Sequence, residues 1–148
     1  MYRKNKQTEV DLRLIRIWLK ANRAVNEQIV NDIKRHELSV ENFMILELLY
    51  NKGPQTIQKI SERLSIPSGS ITYVVNRLTN KNYVKREACE ADRRSSYVIL
   101  TEQGEKMFQQ IFPEHVHMLS AILEPLTAEE KTTLAELLKK LGQHAERL

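Results

Sequence analysis

The chain has 148 residues, close to the usual length of about 150 residues for a single domain. Its composition, 41% hydrophobic and 28% charged with four Gly and four Pro, excludes collagen-like, disordered and membrane-embedded proteins. No apolar stretch approaches the ~20 residues that span a bilayer, and residues 1–10 lack the apolar segment of a signal peptide. We therefore expect a cytoplasmic protein with no membrane partner.

The net charge of +4 is unevenly distributed along the chain. Residues 52–94 carry nine Lys or Arg against four Asp or Glu, whereas residues 95–148 carry five against eight. A localised basic excess is typical of a protein with a polyanionic partner, but a solvated basic surface has the same composition. Both interpretations are open on charge alone.

The first predicted element is a long helix over residues 10 to about 33, without Gly or Pro. Its apolar residues form two stripes, one containing Leu12, Ile15 and Leu19 and the other containing Leu14, Trp18, Ala21 and Val25. A helix that is apolar on two sides must be covered on two sides. A chain this small has few other elements to cover it, so a second copy of the chain is the expected cover.

Three shorter helices are predicted next. Ser39 and Thr56 are suited to cap the first two, and Gly53 and Pro54 separate them. The third begins near Ser68 and has a complete apolar face, made of Ile71, Val74, Val75 and Leu78. Its opposite, polar face holds Ser70, Thr72, Tyr73, Asn76 and Arg77.

The rest of the chain predicts a β-hairpin and two long helices. Asn82 can adopt the left-handed conformation that ends a helix, and residues 83–89 and 95–101 predict two strands around a charged turn. The helix that begins near Thr101 contains Pro113, which removes a backbone donor and is expected to kink it. Thr127 and Glu130 form a capping box for the last helix. The predicted fold is mainly α with a small β-hairpin.

Two short helices joined by a tight turn and followed by a hairpin with a basic tip describe a winged helix-turn-helix region, here residues 39–101. In that arrangement the second helix enters the major groove of DNA, which is about 12 Å wide, and its polar side chains meet base edges and phosphates. The predicted DNA contacts on this helix are Ser68, Ser70, Thr72, Tyr73, Asn76 and Arg77. Tyr73 has an alternative role, packing against the hairpin. At the hairpin tip, Arg93 and Arg94 are suited to a narrow minor groove because a guanidinium loses hydration easily, and Asp92 is expected to orient Arg94 or support the turn.

These residues resemble the MarR family of transcriptional regulators. The similarity covers nearly the whole chain, through GPQTIQKISERLSIPSGSITYVVNRLTNKNYVKRE and then ADRRSSYVILTEQG, where Asp92 and Arg94 followed by Leu100, Thr101 and Gly104 are similar to the family's wing signature. The resemblance implies one MarR-type domain over residues 1–148, in which residues 10–34 and 102–148 are dimerisation helices. It also implies a homodimer that binds double-stranded DNA at an inverted-repeat operator. Asn82 and Asn76 stand where the family usually has Gly and often has an acidic residue.

The segment IPSGSITYVVNRL is similar to Gram-positive regulators that control resistance to aromatic electrophiles such as quinones. This resemblance implies a repressor released by a small aromatic or electrophilic molecule. Two further features are open. Cys89 is either a partly exposed redox or electrophile sensor, with its pKa lowered by Lys85, Arg86 and Arg93, or an unreactive thiol of the wing. Trp18, Phe43 and Tyr50 either line an effector cavity or form plain core.

Other classes of function have less support. We expect no enzyme activity, cofactor or metal, because the sequence lacks paired carboxylates, ligand clusters and a nucleophile with a base at a suitable spacing. We expect the four histidines, at positions 36, 115, 117 and 144, to lie at the surface or at an interface. A winged-helix module that binds protein is the alternative to a DNA-binding regulator, although arginines at the hairpin tip argue against it.

Overall fold

The computed structural model describes residues 5–90 and 95–148. The helices and strands along these residues are α1 (Lys6–Arg35), α2 (Val40–Lys52), β1 (Gln55–Thr56), α3 (Ile57–Leu64), α4 (Ser68–Asn80), β2 (Val84–Ala88), β3 (Ser96–Leu100), α5 (Glu102–Leu123) and α6 (Ala128–Ala145). They fall into two compact units, one ending at His115 and the other formed by Val116–Leu148. None of the helices in the described part of the chain is long and apolar enough to cross a membrane.

The helix ends lie where the local sequence places them. The side chains of Ser39 and Thr56 accept hydrogen bonds from backbone N–H groups in the first turns of α2 and α3, groups that have no partner within the helix. After α4, Asn82 has a φ of 63°, the left-handed conformation predicted for it. The predicted capping box of α6 is also present. These predictions are therefore confirmed, and α1 is longer than predicted because it begins four residues earlier.

The predicted hairpin is part of a three-stranded antiparallel sheet with the order β1-β3-β2. β2 pairs with β3 over its full length, from Val84 opposite Leu100 to Ala88 opposite Ser96. β1 was not predicted, and it pairs Gln55 with Val98 across more than forty residues of sequence. The two-residue strand joins the start of α3 to the hairpin, so the wing is anchored to the helices.

The core of the first unit is formed by apolar side chains from the helices and the sheet. Its fully buried members include Ile45 and Leu46 from α2, Ile60 from α3, Ile71, Val75 and Leu78 from α4, Val84 and Val98 from the sheet, and Phe108 from α5. The apolar face predicted for α4 is therefore confirmed, with Val74 half-buried at its edge. Burial of one side of α4 in a well-packed core orients its other side toward solvent.

A buried polar pair lies between α1 and α5. His115 Nδ1 is 2.8 Å from a carboxylate oxygen of Asp32, and both side chains are less than a tenth exposed. The expectation that His115 lies at a surface or interface is therefore wrong for this chain, because the helix packing brings it against a buried carboxylate and the ring of Phe43. Burial raises the pKa of Asp32, but hydrogen bonds from His115 and Arg35 lower it more, so its pKa is below the ordinary value.

One apolar stripe of α1 and the start of the other are exposed in the single chain, whereas Trp18 and Val25 of the second stripe are half-buried. Leu12, Ile15 and Leu19 of one stripe and Leu14 of the other are all between 37% and 60% exposed. In the second unit, leucines of α6 are exposed as well, at positions 134, 137 and 138. A monomer of this fold thus presents large apolar surface to water on these helices.

Candidate nucleic-acid interface

The outer face of α4 is polar and accessible. Ser68, Ser70, Tyr73, Asn76 and Arg77 are exposed, and Tyr73 is 64% exposed. An exposure of this size does not fit the alternative in which Tyr73 packs against the hairpin. The structure therefore brings most of the predicted α4 residues together on one surface.

Thr72 is placed differently from the other residues of that face. It is half-buried, and its hydroxyl donates a 3.0 Å hydrogen bond to the Ser68 carbonyl in the preceding turn. With its proton used inside the helix, the Thr72 hydroxyl is left to accept hydrogen bonds, and its methyl group is available for apolar contact.

One edge of the exposed face borders the wing. Arg86 of β2 donates a 2.9 Å hydrogen bond from Nη2 to Oδ1 of Asn76. The contact joins residues ten positions apart, and both side chains are exposed. It ties the first strand of the wing to the middle of α4.

The other edge borders the N-terminus of α2. An open cavity of about 490 Å³ lies there, lined by Ser39, Glu41, Asn42, Gly69, Ser70, Tyr73, Val74 and Arg77. The Arg77 guanidinium lies 5.8 Å from the centroid of the Tyr73 ring, within the range of a cation–π interaction. Arg77 and Tyr73 are thus positioned as a pair, with the cation held over an aromatic face.

The wing carries further charge on its first strand. Lys85 and Glu87 form an exposed ion pair of 3.4 Å, while Arg86 points to α4. The predicted residues of the wing tip, Asp92, Arg93 and Arg94, lie outside the described residues. Their roles in DNA contact and in supporting the turn stay predictions.

Cys89 is less accessible than the sensor alternative requires. It is only 9% exposed, and its backbone N–H donates a 3.2 Å hydrogen bond to the Ser95 carbonyl. A hydrogen bond between its side chain and Tyr97 raises the pKa of the tyrosine. Burial restricts access to a thiol, so the geometry favours the unreactive alternative.

The aromatic residues predicted either to line a cavity or to form core are mainly core. Phe43 is buried and lies 5.3 Å, between ring centroids, from Phe108, and the centroid of Tyr50 lies 5.2 Å from the same ring. Trp18, on α1, is half-buried. Within residues 5–90 and 95–148, no group of three or more His, Cys, Asp or Glu side chains is arranged to hold a metal.

The contact of Arg86 with Asn76 on this surface was not predicted from the sequence. The signal that identifies it is the two-residue period of a strand, which places Arg86 on the same face of β2 as the buried Val84. That face points toward the helices. A cationic side chain on that face of β2 therefore either pairs with a group on α4 or extends beyond the edge of α4.

Comparison with known proteins agrees with this arrangement. The profile of the MarR family matches residues 38–96, which include α2, α3, α4 and the first hairpin strand, β2, and end at the first residue of β3. The chain is 37% identical, over 93% of its length and 95% of the relative's, to the HTH-type transcriptional regulator MhqR of Bacillus subtilis.

Solved structures share the fold. AbsC, a MarR family transcriptional regulator from Streptomyces coelicolor, matches with a TM-score of 0.84 at 23% identity, with complete coverage of both chains. A mutant of MarR from E. coli, solved in complex with operator DNA, matches with a TM-score of 0.75 at 24% identity, over 93% of this chain and 99% of that one. At these identities the matches establish the fold, and they confirm the predicted mainly α winged-helix architecture.

Proposed function

This chain belongs to the MarR family, and on that premise we propose that it is a DNA-binding regulator of transcription. The observation that carries the proposal is the exposed polar face of α4, which lies opposite an apolar face that is buried except for the half-buried Val74. A helix held in this way fits into a major groove and presents hydrogen-bonding side chains to the base edges there. Its relatives include transcriptional regulators rather than enzymes, in agreement with the absence of a catalytic pattern in the sequence.

The residues proposed to contact DNA have different parts in recognition. We propose that Ser70, Tyr73 and Asn76 contact base edges; their exposure on the outer face of α4 supports this. Arg77 reaches either a base or a phosphate from its position over the Tyr73 ring. Arg94 at the wing tip is proposed for the adjacent minor groove, with Arg93 at flanking phosphates and Asp92 as the support of the turn.

We propose further that the functional unit is a homodimer. The support is the exposed apolar surface of α1 and of α6, which would be costly to leave in water. Two α4 helices related by a two-fold axis enter successive major grooves, so the operator is an inverted repeat with half-sites about 10 bp apart, centre to centre. Binding that covers a promoter would block transcription, so we propose that the protein acts as a repressor, in the cytoplasm.

Release from DNA is proposed to follow binding of a small molecule. The similarity of the recognition segment to regulators of resistance to aromatic electrophiles supports an aromatic or electrophilic effector. Titration of operator-bound protein with such compounds, with aliphatic compounds of equal size as controls, tests this part of the proposal separately from DNA binding.

The experiment for DNA binding uses fluorescence anisotropy with the duplex upstream of the chain's own gene and a scrambled duplex of equal length. We expect specific binding whose affinity falls with salt, because phosphate contacts release counterions. Arg77→Ala should cost about 1–3 kcal/mol on the specific duplex if Arg77 contacts a base. The matched control is Arg23→Ala, which removes an exposed arginine ion-paired with Glu27 on α1 and should have little effect. Equal binding of both duplexes by the wild-type protein would refute sequence-specific recognition.

The dimer is tested by light scattering. Leu19→Glu introduces charge into an apolar stripe of α1 and should shift the protein toward monomer, whereas Glu27→Gln on the same helix should leave the mass unchanged. A wild-type monomer at micromolar concentration would contradict the two-fold mode of binding.

A further inference from the structure

We propose that Arg86 is a specificity-determining residue of this protein, which acts by holding the Asn76 carboxamide so that it presents its NH₂ group to the base. The inference rests on the proposed function, because it assigns the base that α4 recognises. It starts from a contact of the free protein, the 2.9 Å hydrogen bond from Arg86 Nη2 to Asn76 Oδ1.

The chemistry of the two side chains decides which way the amide points. A guanidinium has five donors and no acceptor, so the atom of Asn76 that faces it must be the oxygen. A hydrogen bond from a charged donor is about twice as strong as one between neutral groups. Oδ1 is therefore held toward β2, and Nδ2 is the part of the amide left for another partner.

This orientation changes what an asparagine can recognise. A freely rotating Asn binds adenine through both of its polar atoms, because adenine presents an acceptor at N7 and a donor at N6. With Oδ1 beside a cation, the approach of a second donor such as the adenine amino group is disfavoured. Guanine presents two acceptors, N7 and O6, and no donor in the major groove. The Asn76 amide should therefore select guanine.

The position of Asn76 makes the contact accessible to DNA. Both Asn76 and Arg86 are exposed, and Asn76 lies between Tyr73 and the wing on the outer face of α4. Lys85, the neighbouring cation on β2, pairs instead with Glu87. The two neighbouring cations of β2 thus have different partners, since Arg86 contacts the recognition helix and Lys85 pairs with a residue of its own strand.

The test is binding-site selection from a library of randomised duplexes by wild-type protein, Asn76→Ala, Arg86→Gln, Arg86→Lys and the control Lys85→Gln, each checked for folding by circular dichroism. In the wild-type motif, one base pair in each half-site should prefer guanine over adenine about fivefold or more, the lower range of discrimination for a good base contact. Asn76→Ala should remove the preference at that pair alone. Arg86→Gln replaces the charged donor with a shorter, neutral one, so it should reduce the preference toward equal binding of guanine and adenine. Arg86→Lys, which keeps a charged donor for the same oxygen, and Lys85→Gln should keep the preference.

A second measurement removes N7, one of the two guanine acceptors available to the Asn76 NH₂ group. Replacing that guanine with 7-deazaguanine should weaken binding of the wild type and leave binding of Asn76→Ala unchanged. The inference is overturned if Arg86→Gln weakens all duplexes equally and keeps the motif, because Arg86 would then be a phosphate contact. It is also overturned if the pair that depends on Asn76 prefers adenine. A wild-type protein that enriches no motif would instead refute the proposed function, and the base assignment with it.

Discussion

The buried pair of Asp32 and His115 leads to a quantitative prediction about stability. Asp32 accepts from His115 Nδ1 at 2.8 Å and from Arg35. His36 Nε2 lies 3.9 Å from the same carboxylate and 3.8 Å from the carboxylate of Glu114. An ionised carboxylate can only accept, so His115 must carry its proton on Nδ1. Replacing Asp32 with Asn removes the negative charge and keeps an oxygen that can accept one of these bonds.

The expected loss follows from the kinds of bond involved. Hydrogen bonds to charged groups contribute about 1.5–3 kcal/mol, and the variant retains one weaker bond, so Asp32→Asn should lower the free energy of unfolding by roughly 2 kcal/mol at neutral pH. Glu114→Gln is the matched control. Its carboxylate is 74% exposed and 3.8 Å from His36, so the control should lose less than about 0.5 kcal/mol.

The effect should also depend on pH. The pKa of Asp32 is lower in the folded protein than its ordinary value, so the folded state favours the ionised form. The stabilisation is complete above the pKa of the unfolded chain and is lost as the pH falls through the folded pKa. The difference between wild type and Asp32→Asn should therefore stay constant down to a pH of about 5 and shrink below it.

Urea unfolding followed by circular dichroism measures these quantities, at one protomer concentration because unfolding of a dimer depends on concentration. The reasoning would be refuted by an Asp32→Asn variant as stable as wild type at neutral pH. A stability difference that persists unchanged at acid pH would also contradict it, since it would show that the carboxylate charge has no part in the loss.

Three further predictions concern backbone geometry and the wing. Gly104→Ala should destabilise the protein by about 3 kcal/mol in urea unfolding, because the new Cβ would collide with the carbonyl oxygen of Tyr83. The control Gly142→Ala has open space around the new Cβ on α6, so it should be neutral or stabilising by up to ~1 kcal/mol. Asn82→Ala should cost about 1 kcal/mol because of the positive φ, and Asn82→Gly should cost less; equal losses in the two variants would argue against backbone strain as the cause. Arg94→Ala should weaken operator binding and reduce the slope of log affinity against log salt concentration by about one per lost phosphate contact, doubled by symmetry. If affinity, salt slope and preference for flanking bases were all unchanged in a folded dimer, the wing would have no part in recognition.

Much of the fold was predictable because its signals are local. The caps at Ser39 and Thr56, the capping box of α6 and the left-handed Asn82 each depend on residues within one helical turn. The apolar face of α4 follows from helical periodicity over a few turns, and with it the polar face proposed to bind DNA. Such short-range patterns can be recognised from the sequence alone, because the groups that interact are neighbours along the chain.

Other features were decided only by the tertiary structure. The two residues of β1 are too short for a strand pattern and exist because β3 supplies their partner. His115 was expected at the surface or at an interface, but it lies against Asp32, which is 83 residues away. The sequence left two alternatives open for Cys89, and its burial in the folded chain favours the unreactive thiol. Arg86 could be assigned to the face of β2 from the strand period, but its contact with Asn76 depends on how the wing packs on α4. A periodic pattern determines which side of an element a residue occupies, whereas the partner on that side is set by packing between elements distant in sequence.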